Sequence, residues 1–245
     1  MVQIGFYAWA ATALAMLLLI LRNNPHPQRI IGRYLLICLA WLSYITVITN
    51  TGVLNDFGLP PRVPLLIVFP AIAGILFIAN RRSFQTVLQN TPLHLPVLLQ
   101  SFRVVVELLI YGAFLQGVFP KRATFEGINF DILVGLSSLI VGILVQRKKI
   151  SLNWLLAWNI ASLIILSITV YSFIGTLYFT NYLLLNGSKG FIQFPFVLLS
   201  SVLLPVAIFL HVFSIRQVLL HWQFLRKQSP VKHANARRLH VLAKP

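Results

Sequence analysis

Long apolar stretches alternate with short polar, mostly basic connections along nearly the whole chain. A helix that crosses a bilayer needs about 20 consecutive, mostly apolar residues. Stretches of that kind run over positions 4–21, 34–54, 64–79, 95–119, 130–145, 152–179 and 194–220. The third is short and contains Pro70, and the seventh contains Pro205. Proline is tolerated in such helices where neighbours satisfy the carbonyl it deprives of a donor, and it often kinks them. The first stretch does not read as a signal peptide, because no basic residue precedes it and Arg22 follows it. The pattern predicts an all-α, polytopic transmembrane bundle of about seven helices over 1–221, with a basic tail over 222–245. No internal repeat is visible, so the inverted-repeat logic of many transporters has no support.

The connections set the expected orientation, since cytoplasmic loops collect Lys and Arg. Alternate connections hold Arg22, Arg29 and Arg33, then Arg81 and Arg82, then Arg147, Lys148 and Lys149. The end of the seventh stretch and the tail add Arg216, Arg226, Lys227, Lys232, Arg237, Arg238 and Lys244. The opposite side has only Arg62, Lys121, Arg122 and Lys189. This asymmetry predicts a multi-pass membrane protein with its N-terminus outside and its C-terminus cytoplasmic. Trp222 and Phe224 place the start of the tail at the lipid surface. The tail and the outer connection around 181–191 are the longest stretches outside the apolar segments, and neither is long enough for a folded domain.

Composition agrees with that class. Of 245 residues, 58% are hydrophobic and 10% charged, against about 25% charged in soluble domains. Mean hydropathy is +0.84. The net charge of +16 rests on 20 Lys and Arg against 4 Asp and Glu. In a soluble protein that balance points to nucleic acid. Here the bases sit between apolar segments, so nucleic acid is not an expected partner. Membrane lipids are, with anionic headgroups at the cytoplasmic face. Cys38, the one cysteine, excludes an internal disulfide and a Cys-based zinc knuckle.

The four acids are the most informative polar residues. Glu107 lies near the middle of the fourth stretch, whereas Asp56, Glu126 and Asp131 fall at outer ends. No acid lies on the basic side, which removes the usual carboxylate-based magnesium and phosphate chemistry there. Arg103 and Glu107 are four residues apart, so a helix sets them on one face within pairing distance. Either charge alone costs about 2.5–3.5 kcal/mol at a helix centre. They are expected to face inward and pair, as a substrate, ion or proton site or as a structural pair that fixes packing. Asn159, His211 and Gln100 fall at a similar depth and complete a candidate intramembrane cluster. His211 is a hydrogen-bonded packing residue or a proton relay with Glu107. Trp158, beside Asn159, is a candidate pocket wall, and Trp154 a candidate interfacial residue.

A second candidate site is the outer connection Thr124-Phe125-Glu126-Gly127-Ile128-Asn129-Phe130-Asp131. Asp131 is read first as capping or preceding the fifth helix, where a negative charge near the N-terminus is favourable. The alternative is a cation held by oxygen ligands from Glu126, Asn129 and Asp131. Two acids and one amide are a thin metal site, so no metal is assigned, and no cofactor either. Bis-His haem needs a second buried histidine, and His94 and His221 fall near the interface. A retinal Schiff base needs a lysine inside a span, and there is none. Walker, His-Glu-x-x-His and Gly-x-Ser-x-Gly motifs are absent, as are the paired aspartates of an intramembrane protease.

Several segments carry a resemblance. LPPR at 59–62, RVVVELLIY at 103–111, TFEGINFDILVGL at 124–136, LLAWNI at 155–160 and SIRQ at 214–217 resemble a family of bacterial integral membrane proteins of unknown function found in Bacteroidota-type genomes. Members carry a proline soon after the arginine of the fourth helix and an arginine before the outer asparagine. This chain has Val104 to Val106 and Ile128 there. The resemblance implies the same seven-helix architecture and no particular activity.

Three functions are compatible with these residues. The first is ion-coupled or small-molecule binding or transport through Arg103, Glu107, Asn159 and His211. The second is a non-catalytic subunit or assembly partner of a membrane protein complex, with the ion pair as structural glue. The third is a membrane-embedded enzyme acting on a lipid-like substrate, for which only the Glu126–Asp131 segment or His211 offers acid–base groups. Binding or transport ranks first, with no nucleophilic motif to support an enzyme.

Overall fold

The computed structural model describes residues 1–22, 24–179 and 190–242. Among them no strand occurs. The helices are α1 (Val2–Leu21), α2 (Pro27–Asn50), α3 (Phe69–Ala79), α4 (Arg82–Asn90), α5 (His94–Leu99), α6 (Phe102–Leu115), α7 (Asp131–Gln146), α8 (Leu152–Tyr178) and α9 (Leu204–Leu242). An apolar chain without charged side chains has only its own carbonyls to satisfy its N–H groups, and a helix does so within one segment.

Five helical stretches are long and apolar enough to cross a membrane: Val2–Leu21, Pro27–Asn50, His94–Leu115, Leu152–Tyr178 and Leu199–Arg226. A sixth arises if Pro64–Ala79 and Arg82–Asn90 form one broken span, because these two are bent by 81°. Asp131–Gln146 is apolar but shorter. All seven predicted stretches are thus helical, while length supports five or six crossings. The short connection expected at Arg81 and Arg82 contains the corner before α4, an amphipathic helix with Phe84, Val87 and Leu88 buried. Its period of three and four was legible in the sequence. Gln217 of α9 ties it down, donating to the carbonyls of Leu88 (3.0 Å) and Thr91 (2.7 Å). α9 runs unbroken through position 222, where the sequence suggested a boundary. The outer connection over 180–189, with Lys189, lies outside the described residues, as do Lys244 and the side chains after Arg226.

Close backbone approach organises the centre. Gly135 of α7 sits against α6, where an added Cβ would lie 2.9 Å from the backbone nitrogen of Val104. Small residues permit such contacts between apolar helices, where dispersion has to replace the hydrophobic effect. Phe6, Phe119 and Phe196 pack together in the core, with edge-to-face ring contacts of 5.2–6.1 Å.

Only Ile45 of α2 is buried. This helix is held instead by polar tips reaching backbone carbonyls. The Tyr34 hydroxyl donates to Leu14 (2.7 Å), Trp41 Nε1 to Ser201 (2.7 Å) and the Tyr44 hydroxyl to Leu66 (2.8 Å). Two of those acceptors are special. Pro70 has no N–H to offer Leu66, four residues earlier, and Pro205 has none to offer Ser201. Each proline is preceded by a π-helical turn, Pro64–Val68 and Leu199–Leu203. Two adjacent aromatic residues on α2 therefore satisfy the carbonyls that two prolines deprive of a helical partner.

Candidate functional site

The fourth predicted stretch is two helices joined by a tightened step. The N–H groups of Gln100, Ser101, Arg103 and Val104 each bond to the carbonyl three residues back, at 3.1 Å. Such a 3₁₀ step inside a helix redirects the side chains that follow. It leads directly into Arg103, which is 1% exposed.

Arg103 does not form its ion pair with Glu107. It pairs with Asp131, donating from Nε to Oδ2 at 2.6 Å and from Nη2 to Oδ1. Asp131 opens α7 and shares a face with Gly135 one turn on. Because Gly135 abuts the backbone at Arg103 and Val104, that face carries Asp131 into reach of the guanidinium. The planar fork matches a carboxylate in two-point fashion, a geometry a same-helix glutamate at four residues cannot present as well.

Glu107, also 1% exposed, accepts instead from Asn129 Nδ2 at 2.6 Å. Asn129 is fully engaged: its Nδ2 also donates to Ala123 O (2.9 Å), and its Oδ1 accepts from Thr169 (2.8 Å) and from the Asp131 N–H (3.0 Å). The last bond satisfies the first N–H of α7, so Asn129, not the side chain of Asp131, caps that helix. Asp131 adds a favourable charge to its first turn.

On the other side of Arg103, Nη1 lies 3.0 Å from His211 Nε2, and His211 Nδ1 lies 2.9 Å from Asn159 Oδ1. A guanidinium only donates, so Nε2 accepts and the ring proton sits on Nδ1, which donates to Asn159. Asn159 Nδ2 donates in turn to the Leu155 carbonyl and the Ser214 hydroxyl, both at 2.9 Å. Every donor points the same way along this chain. His211 and Glu107 share no hydrogen bond, as the relay alternative would need: His211 bonds to Arg103 and Asn159, and Glu107 to Asn129. Gln100 lies outside the network and donates to Ala207 O at 3.1 Å. Trp158 packs against the His211 ring (5.5 Å between centroids) and donates to Ser137 at 3.1 Å.

The outer motif is divided. Asn129 and Asp131 turn inward, whereas Glu126 stays exposed, accepting from the Tyr111 hydroxyl at 2.9 Å and lying 3.5 Å from Lys121 Nζ. The three do not converge on one cation, and no group of three or more His, Cys, Asp or Glu is placed to hold a metal among the described residues. Gly127 permits the reversal, since a Cβ there would come within 2.7 Å of the Arg122 backbone. The two candidate clusters of the sequence are thus one network, less Glu126. Thr169 and Ser214 were missed. Both were legible: Ser214 is one turn after His211, and α8 buries Asn159, Ser162, Thr169 and Ser172 on one stripe.

Glu107, Arg103, Asp131 and Thr169 form the polar end of a cavity of about 110 Å³. Its other walls are mostly apolar, among them Phe102, Val106, Ile110, Phe119, Phe173 and Leu203. Among the described residues Glu107 has no cation in ion-pairing contact. With both carboxylates ionised, the cluster has two negative charges against the single positive charge of Arg103. The chain matches no protein-family model, no curated protein and no solved structure.

Proposed function

We propose that this is a multi-pass protein of a bacterial inner membrane, crossing seven times with its N-terminus outside, that binds a small, mostly apolar molecule beside Glu107. Binding is coupled to a proton or cation, in a binding or transport role. The orientation rests on the basic residues gathered on alternate connections. The observation that carries the functional reading is Glu107: a buried carboxylate with no cation in ion-pairing contact among the described residues, on the wall of a mostly apolar cavity. An ionisable group so placed calls for a neutralising proton or cation, and marks a ligand or ion path. Apolar walls with a few convergent polar groups are the usual make-up of small-molecule sites.

Native mass spectrometry of the protein in lipid nanodiscs tests this, wild type against Glu107→Gln. One small molecule per chain in the wild type, lost in the variant, is the expected result. No small molecule in either, or a second protein retained by both, would move the assembly-partner reading ahead.

A further inference from the structure

A second, larger cavity of about 430 Å³ lies among α1, α2, α3, the start of α4 and α9. That size falls within the range of about 300–1,000 Å³ common for ligand pockets. Its walls are apolar, with Leu17, Ile37, Leu42, Ile75 and Phe209 typical of them. α2, almost unburied and held by polar tips, forms one side. Gly74 of α3 faces open space, since a Cβ there would meet no atom within 4 Å.

Two arginines line this mostly apolar cavity, Arg33 near the start of α2 and Arg81 just after α3. The Arg81 guanidinium is steadied 4.0 Å above the Phe77 ring. Among the described residues neither arginine meets a carboxylate. The chain has four acids. Asp56 pairs with Arg62, Glu126 with Lys121 and Asp131 with Arg103, while Glu107 is held by Asn129 in the other cavity. Two exposed cations beside an apolar groove, with no acid to answer them, call for an anion joined to an apolar body.

We propose that this groove is a binding site for one anionic phospholipid. An acyl chain lies between α2 and α3, and the phosphate sits between Arg33 and Arg81. The guanidinium forks suit phosphate oxygens in two-point geometry. The groove supplies the apolar area that distinguishes a bound lipid from a headgroup merely attracted to a basic surface. This site is separate from the Glu107 cavity, so either assignment stands without the other.

The test uses the full chain in detergent, stripped of lipid and then offered phosphatidylglycerol, phosphatidylcholine or glycerol phosphate alone, with retention read by native mass spectrometry. The wild type should retain one phosphatidylglycerol, prefer it to phosphatidylcholine, and ignore glycerol phosphate. Arg33→Gln with Arg81→Gln should lower that preference about tenfold or more, as expected for losing two basic residues at a lipid surface. Gly74→Leu, which fills open space, should lower retention of both phospholipids while leaving the melting temperature unchanged. Equal retention of the two lipids by the wild type, an unchanged preference in the double variant, or capture of glycerol phosphate alone would overturn the proposal.

Discussion

Arg103 pairs with Asp131, 28 residues further along the chain, and not with Glu107 one turn away on its own helix. The choice leaves the two carboxylates in unlike settings. Asp131 is neutralised in two-point geometry, while Glu107 has a neutral amide donor and an apolar cavity. Removing one partner of a buried pair strands the other, which costs far more than replacing both. Arg103→Met should therefore destabilise the fold by about 3–5 kcal/mol, and Arg103→Met with Asp131→Leu should recover most of the loss. Thermal melts of the single and double variants decide it. A double variant no more stable than Arg103→Met would contradict the pairing.

The donor chain from Arg103 fixes a histidine tautomer. At neutral pH, ¹⁵N NMR of histidine-labelled protein should show His211 protonated on Nδ1 and bare at Nε2. His211→Phe leaves an Arg103 N–H without an acceptor and should cost about 1–3 kcal/mol. A protonated Nε2 in the wild type would contradict the assigned direction.

Trp41 and Tyr44 act on the carbonyls that Pro205 and Pro70 deprive of a helical partner. Trp41→Phe should cost about 1–3 kcal/mol, the penalty for leaving a buried acceptor unmet. In a Pro205→Ala background the alanine N–H serves Ser201, so the same substitution should cost less. Additive effects of the two substitutions would show that the indole acts by packing alone.

Gly135 sets the distance between α6 and α7. Gly135→Val should push α7 away and part Asp131 from Arg103, so its destabilisation should not add to that of Asp131→Leu. Full additivity in a double-mutant cycle would separate the helix contact from the ion pair.

Asp56 lies between α2 and α3, outside the long helices. Hydrogen bonds from Arg62, at 2.8 and 3.2 Å, hold its carboxyl below the usual carboxylate range, and the Gly58 N–H adds to the effect. A carboxyl whose folded pKa is depressed stabilises the folded state above the unfolded value of about 3.9. That contribution is lost as pH falls through the lower, folded value. Hydrogen exchange at Gly58 should hold steady from neutral pH to about 5 after correction for intrinsic rates, and protection should fall only in stronger acid. Arg62→Gln should bring the loss to higher pH. Loss of protection already near neutral pH would rule out the carboxylate as its cause.

Much of the fold was legible in the chain. Apolar run length places the helices, because a helix in an apolar medium is decided segment by segment. The residues of the network were mostly legible too, since Arg103, Glu107, Asn159 and His211 are conspicuous where polar groups are costly. Their partners were less so. Four-residue spacing favoured Glu107 as the mate of Arg103, and nothing local shows that Gly135 brings a different helix within reach. Asn129 and Asp131 read as an outer motif, with Asp131 at the start of a helix and a cation site as the alternative, yet both side chains turn inward to Glu107 and Arg103.

Sequence alone determined the class of the molecule, the places of its long apolar stretches and the scarcity of acids, since hydropathy and charge are sums over local residues. Tertiary structure decided which carboxylate answers Arg103, which carbonyls Trp41 and Tyr44 serve, and that Glu107 meets an amide donor and a cavity wall in place of an ion-pair partner among the described residues. Those outcomes depend on distances between helices. Single close contacts such as Gly135 against α6 set them, and no periodicity within one helix records its distance from the next.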